Sequence, residues 1–271
     1  MVWYVGIKLI IFYRNGVNMR LISIILLVFF YPLVSFAQTS VLTSIKDATL
    51  IQEITPELAT GSSEFIFVGR IQRDLGIRRG LVQFDLSTIP ANATIQSVVL
   101  KLFVVKGRAD TMDLKVHRVT NSWGEGVSNS FGGAGGAAAP NDATWVSRFF
   151  GTTLKWTSQG GDFLSTISAS KMLSEDGNVS YEITDTQLVS DVIFWLNNPG
   201  LNHGWLLEDD TALSAKALAS RQNANATIRP QLIIQWTPPA LEYDSGDVPL
   251  PLWMLVMLAG GLFYLNKRHI N

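Results

Sequence analysis

Four separate stretches of this 271-residue chain alternate apolar and polar side chains with a period of two. "MDLKVHRV" puts Met112, Leu114 and Val116 on one side and Asp113, Lys115 and His117 on the other. "VSYEIT" does the same with Val179, Tyr181 and Ile183, "LVQFDL" with Val82, Phe84 and Leu86, and "RPQLIIQW" with Leu232, Ile234 and Trp236. Successive strand side chains point to opposite faces, so this period marks strands with one face in a core. In "TIQSVVLKLFVV" both alternating sets are mostly apolar, which predicts a strand near residues 94–105 covered on both faces. Short strands between Gly, Pro, Asn and Asp turns predict an all-β fold, an antiparallel two-sheet sandwich of jelly-roll type. One segment departs from the pattern. "DTQLVSDVIFWLNNPG" spaces Leu188, Val189, Val192, Ile193 and Leu196 by threes and fours, opens at Asp185 and stops at Asn198-Pro199-Gly200. It predicts one short amphipathic helix lying on the sandwich.

The two ends have another composition. Residues 19–37, "MRLISIILLVFFYPLVSFA", combine Arg20, an apolar run from Leu21 to Phe30, Pro32, and small residues at Ser35 and Ala37. This is the pattern of a secretory signal peptide, with cleavage expected after Ala37 and Met19 as the expected start. The apolar run is shorter than the roughly 20 residues that a membrane-spanning helix needs. Residues 241–271 carry a Pro-containing lead, an apolar stretch from Leu250 to Leu265, and Lys267 and Arg268 near the end. A basic end of this kind stays on the cytoplasmic side of a membrane. The tail resembles the C-terminal sorting tails of secreted bacterial proteins, which implies a membrane-associated processing protease as a partner, with a plain single-pass anchor as the alternative. The expected organisation is therefore an N-terminal extension and signal peptide over 1–37, one domain over 38–240, and a linker with a hydrophobic tail over 241–271. The expected location is outside the cell or on its surface.

The middle is long enough for one sizeable core and short for two. It holds no cysteine, so burial rather than disulfides must stabilise an exported domain. Charge is balanced, 21 Lys plus Arg against 22 Asp plus Glu, whereas nucleic-acid binders carry a basic excess. Catalysis has little to work with. Glu125 in "WGEG" and Glu208, Asp209 and Asp210 in "LLEDD" sit beside turn residues and read as loop charges, not as the paired carboxylates of a glycosidase. His117 and His203 lack a Ser or Cys neighbour to activate, and without cysteine a zinc site is not expected. No cofactor is expected; a structural calcium ion is left open, with "SEDGN" (174–178) and "PND" (140–142) as its candidate loops.

The stronger binding signal is "GRIQRDLGIRRG", which gathers Arg70, Arg73, Arg78 and Arg79 on a turn between two strands. Guanidinium groups meet carboxylates in two-point geometry, so the cluster would suit an acidic polysaccharide. A solvated hairpin with one salt bridge to Asp74 is the alternative.

"GLVQFDLSTIPANATIQSVVLKLFV", "VHRVTNSWGEG", "TWVSRFFGTTLKWTSQGGDF", "FWLNNPGLNHGWLL" and "ASRQNANATIRPQLIIQW" follow one another in this order. Together they resemble the DNRLRE-type domain, a family of extracellular β-sandwich modules related to archaeal disaggregatase repeats and to an alginate-binding class of carbohydrate-binding module. The likeness runs over about residues 46–236. It implies a non-catalytic, exported module that binds carbohydrate; a structural or adhesive matrix protein without a sugar ligand is the alternative. Trp123, Trp145 and Trp156 fall within the matching stretches. As a frame motif they would cover one end of the sandwich with their indole N–H groups on loop carbonyls; as ligand-binding residues they would stack sugar rings. The run "FGGAGGAAAP" (131–140) is expected to be a flexible insertion in the same loop.

Overall fold

A computed structural model describes residues 2–11, 24–33, 36–54, 57–71 and 76–239, with side chains from residue 36 onward. The tail beyond Pro239, with Arg73 and Asp74 of the arginine turn, lies outside the described residues. β1 (Val2–Ile11) and β2 (Ile24–Leu33), the latter within the expected signal peptide, pair antiparallel only with each other.

The domain is built on one ten-stranded antiparallel sheet made of β3 (Gln38–Ile51), β5 (Phe65–Arg70), β6 (Ile77–Phe84), β7 (Thr94–Lys106), β8 (Met112–Val119), β10 (Phe163–Leu173), β11 (Val179–Thr184), β12 (Trp205–Glu208), β13 (Lys216–Ala219) and β14 (Gln231–Thr237). Six of them, β6-β3-β14-β7-β13-β5, pair in a closed circuit; β12, β8 and β10 extend from β6, and β11 flanks β7. A small ladder of β4 (Leu58–Ala59) and β9 (Gly136–Ala137) stands apart. The β content, the antiparallel pairing and the one α-helix among the described residues match the sequence pattern. The closure differs from a plain two-sheet stack, and β3 is its cause. This 14-residue strand pairs with β14 through Gln38–Thr43 and with β6 through Ser44–Ile51, so it bends from one neighbour to the other. β5 makes the same change, from β13 at Phe65–Val68 to β6 at Gly69–Arg70.

The alternating apolar sets point inward as their period requires: Met112, Leu114, Val116, Val82, Phe84, Leu86, Tyr181, Ile183, Leu232, Ile234 and Trp236 are all buried in the main core. β7 is covered fully on one face only; Val99, Phe103 and Val105 on the other are half-buried. α1 (Thr186–Asn197) is capped by Asp185, whose carboxylate accepts the Gln187 N–H at 2.8 Å. Its buried face is Leu188, Asp191, Val192, Trp195 and Leu196, while Ile193 is exposed. The helix is thus rotated from the purely apolar stripe, because Asp191 is held inside by Ser168 Oγ at 2.5 Å and Trp205 Nε1 at 2.9 Å. A buried carboxylate with such donors is an anchor rather than a loss.

A second, smaller core gathers Trp123, Trp145 and Trp156 with Leu50, Leu81, Val119 and Leu206. The 131–140 run, expected to be a flexible insertion, is partly laddered at Gly136–Ala137 against Leu58–Ala59.

A candidate basic groove

The three tryptophans lie inside the protein. Their exposures are 1%, 6% and 6%, too little to offer a ring face to a sugar. Trp123 Nε1 donates to the His203 carbonyl at 2.9 Å, and Trp156 Nε1 to the Thr144 carbonyl at 2.8 Å. Gly160 shows why "GGDF" follows them: it sits at φ +88°, and a Cβ there would stand 2.7 Å from the Trp145 ring. Asp162 then ties the loop down by accepting the Thr157 and Ser158 N–H groups, each at 2.9 Å.

The arginine turn divides. Arg78 is buried, with Nε donating to the Gly133 carbonyl and Nη1 to the Ile77 carbonyl. Arg79 makes a two-point pair with Asp210, Nε to Oδ1 at 3.1 Å and Nη2 to Oδ2 at 2.6 Å, and donates to Gly160 O at 2.8 Å. Its guanidinium also lies over Trp145, 5.0 Å from the ring centre. Neither Arg78 nor Arg79 is a solvated hairpin charge, which corrects their assignment as ligand-binding residues: β6 runs inside the sheet, where a charged side chain must find a partner. Arg79→Gln is accordingly expected to lower stability by about 2 kcal/mol, the scale of a charge-assisted hydrogen bond removed from a part-buried site. Urea unfolding of parent and variant measures it.

Arg70 is different. It stands at the end of β5 and lines an open groove of about 350 Å³ with Phe67, Ile71, Lys106, Gly107, Arg108, Gly133, Ser214, Ala215 and Ala217. The register explains how these residues meet. Ala217 lies opposite Phe67 on β5 and opposite Lys106 on β7, so all three project from one face of the sheet. Lys106 and Arg108 are exposed, and the Lys106 ammonium lies 4.7 Å from the centre of the Phe65 ring. Arg70 Nη1 reaches the Asp210 carbonyl at 3.4 Å. The floor is apolar, the rim carries three cations, and among the described residues no carboxylate lines the groove. Two large apolar side chains close to this lining in sequence, Phe131 and Leu213, are 92% and 74% exposed.

Lys106 and Arg108 escaped the sequence reading because they follow a stretch read for its apolar alternation. The signal was "KGRAD" directly after that strand: two cations around a glycine at a sheet end.

The other charged residues mostly serve the fold. Glu125 pairs with Arg221 through both its oxygens, and Asp209 accepts the Asp113 N–H at 2.9 Å. His117, read as lying on a polar strand face, is buried; its Nδ1 faces the Leu164 and Thr166 carbonyls at 2.9 and 3.2 Å, and its Nε2 lies 3.3 Å from Glu208. The close approach of the His117 ring, ahead of the Asp210 N–H and the Lys115 charge, outweighs desolvation and holds the Glu208 carboxyl below its usual range. Lys155 stands 3.5 Å from Glu57, whose carboxylate also accepts the Ser147 and Thr144 hydroxyls. Those two hydroxyl bonds and the Lys155 charge outweigh desolvation and lower the Glu57 pKa.

Among the described residues, no group of three or more His, Asp or Glu side chains is placed to hold a metal ion, and no helix is long and apolar enough to cross a membrane. The chain matches no known family model and no curated protein.

Proposed function

We propose that the chain is an exported, surface-associated and non-catalytic module that binds an acidic polysaccharide, with the groove between β5, β7 and β13 as its binding face. The observation that carries the reading is the placement of Arg70, Lys106 and Arg108 around an apolar floor of Phe67, Ile71, Ala215 and Ala217. Uronate rings have carboxylates for the cations and C–H faces for the apolar surface. A volume near 350 Å³ lies at the small end of ligand sites and suits one or two sugar units of a longer chain.

A non-catalytic role is supported by the carboxylates themselves. Glu125, Glu208, Asp209 and Asp210 each have a partner within the fold, in Arg221, His117, the Asp113 N–H and Arg79. Export is supported by the leader pattern over 19–37 and the tail pattern over 241–271. The sandwich form belongs to the same reading. With β3 and β5 as strands that pass from one layer to the other, the closed circuit is a two-sheet sandwich of jelly-roll type joined at its corners.

The test is retention on a polyuronate gel. An exposed cation–carboxylate contact contributes about 0.5 kcal/mol, so replacing Arg70, Lys106 and Arg108 together by Gln should weaken binding roughly tenfold. Raising ionic strength from about 0.1 M should weaken the parent in the same direction, since screening acts over about 10 Å there. Neutral glucans should show neither effect. A folded parent that fails to bind at low salt would leave the matrix-protein reading ahead; equal retention of parent and triple variant would remove the groove.

A further inference from the structure

Lys216 is wholly buried, a rare state for a lysine. It alternates with Ala215 and Ala217 along the chain, so where those line the groove, Lys216 points the other way, opposite Val68. Its ammonium is surrounded by backbone oxygens: Arg108 O at 2.8 Å, Asp110 O at 3.0 Å and Glu175 O at 3.0 Å. The Asp110 carboxylate stands 3.9 Å away and is itself held by Ser214 Oγ at 2.8 Å. An ammonium has three N–H donors and no acceptor, and here three carbonyls meet it. The count closes, which is what permits a charge in a dry interior.

The oxygens come from two neighbouring loops, the turn after β7 and the 174–178 loop before β11, whose flanking strands pair as β7 with β11 and β8 with β10. Backbone carbonyls from separate loops with one nearby carboxylate are the donor set that proteins offer to a hard cation. We infer that this cage is a cation site filled by the chain's own Lys216 ammonium, which does for these loops what a bound metal ion would otherwise do. The distances define the class of cation. Calcium takes its oxygens at about 2.3–2.6 Å, whereas these stand at 2.8–3.0 Å, the spacing of N–H donors. A primary alkylammonium is therefore the preferred free occupant once the side chain is removed. The "SEDGN" loop, a calcium candidate on composition, contributes through its Glu175 carbonyl and takes its cation from β13. The clamp also fixes the backbone of Arg108 beside the groove, yet the inference does not depend on what the groove binds.

The test is thermal unfolding with two variants. Lys216→Met keeps the apolar stem and removes the charge, leaving three carbonyls without their donor; it should melt about 10 °C below the parent, the scale for several buried acceptors left unpaired in a domain of this size. Lys216→Ala opens the cage, and 100 mM n-propylammonium chloride should raise its melting temperature, or restore folding if it is lost, beyond equal concentrations of tetramethylammonium chloride. Calcium chloride should do less, and the parent should respond to none of them. Melting of Lys216→Met together with the parent overturns the inference. So does a Lys216→Ala protein that propylammonium improves no more than tetramethylammonium.

Discussion

Replacing Trp156 with Ala is expected to destabilise the domain by about 3–5 kcal/mol and to lower its melting temperature by roughly 10 °C. The side chain is 6% exposed and packs in the core it shares with Trp123 and Trp145, so its removal leaves a cavity that the loop cannot easily fill. A second cost arises from the missing N–H. Thr144 O accepts Trp156 Nε1 at 2.8 Å and would be left buried without that donor. Thr144 is also a junction: its hydroxyl donates to Glu57 and accepts the Ser147 N–H at 2.8 Å, so loosening it loosens the turn around Ser147. Trp156→Phe keeps an aromatic ring in the core while losing the N–H donor and the rest of the indole volume, and should cost less than Trp156→Ala. Chemical and thermal denaturation of the three proteins gives the comparison. A sugar-stacking platform predicts the opposite, unchanged stability with abolished binding, and a Trp156→Ala protein that melts with the parent would restore that role.

The strand pattern was legible because burial of one sheet face imposes a period of two, and Met112, Leu114, Val116, Leu232 and Ile234 obey it without exception. The helix was legible in existence and limits but not in rotation. Apolar spacing placed Ile193 inside, and the pairing of Asp191 with Ser168 and Trp205 decides otherwise. Such a pairing involves residues 14 and 23 positions away, which no local period encodes. Closure of the sheet was hidden for a similar reason: the change of partner within β3 leaves no mark on the alternation of its side chains.

The candidate site was half legible. Clustering of arginines in sequence pointed to the neighbourhood of the groove, and Arg70 lines it. Charge alone did not show that Arg79 is bound by Asp210, 131 residues away along the chain. Lys106 and Arg108 enter the site only through the β7–β13–β5 register, which brings Lys106, Ala217 and Phe67 into line.

Asp47 should make the domain lose stability as pH rises from about 4 to about 7. Its carboxyl is 2% exposed, and burial, the largest influence, pushes its pKa up from 3.8 to about 7. The neighbouring Glu125 charge pushes the same way, while the Arg221 N–H at 2.7 Å and the Ser44 hydroxyl at 3.3 Å favour ionisation and lose to desolvation. In the unfolded chain Asp47 ionises near its ordinary value, so between about 4 and 7 the folded state binds more protons than the unfolded one. Stability then falls with pH, the reverse of the usual buried, salt-bridged aspartate; the contribution is whole below about 4 and gone above about 7. A rise of about three pKa units, at about 1.4 kcal/mol each, sets the scale at roughly 4 kcal/mol. Other groups act elsewhere or in opposition. Glu57 and Glu208, with lowered pKa values, lose their contributions only as pH falls below the ordinary glutamate range. His203, lowered chiefly by burial, gains stability as pH rises toward 6.5. Comparison with Asp47→Asn separates the effects, because those groups remain in both proteins. The stability difference, parent minus variant, should decline by several kcal/mol between pH 4 and pH 7.5 and then level off. Parallel stability curves across that range would show that Asp47 ionises in the folded protein as it does in water, held as an anion by Arg221 and Ser44.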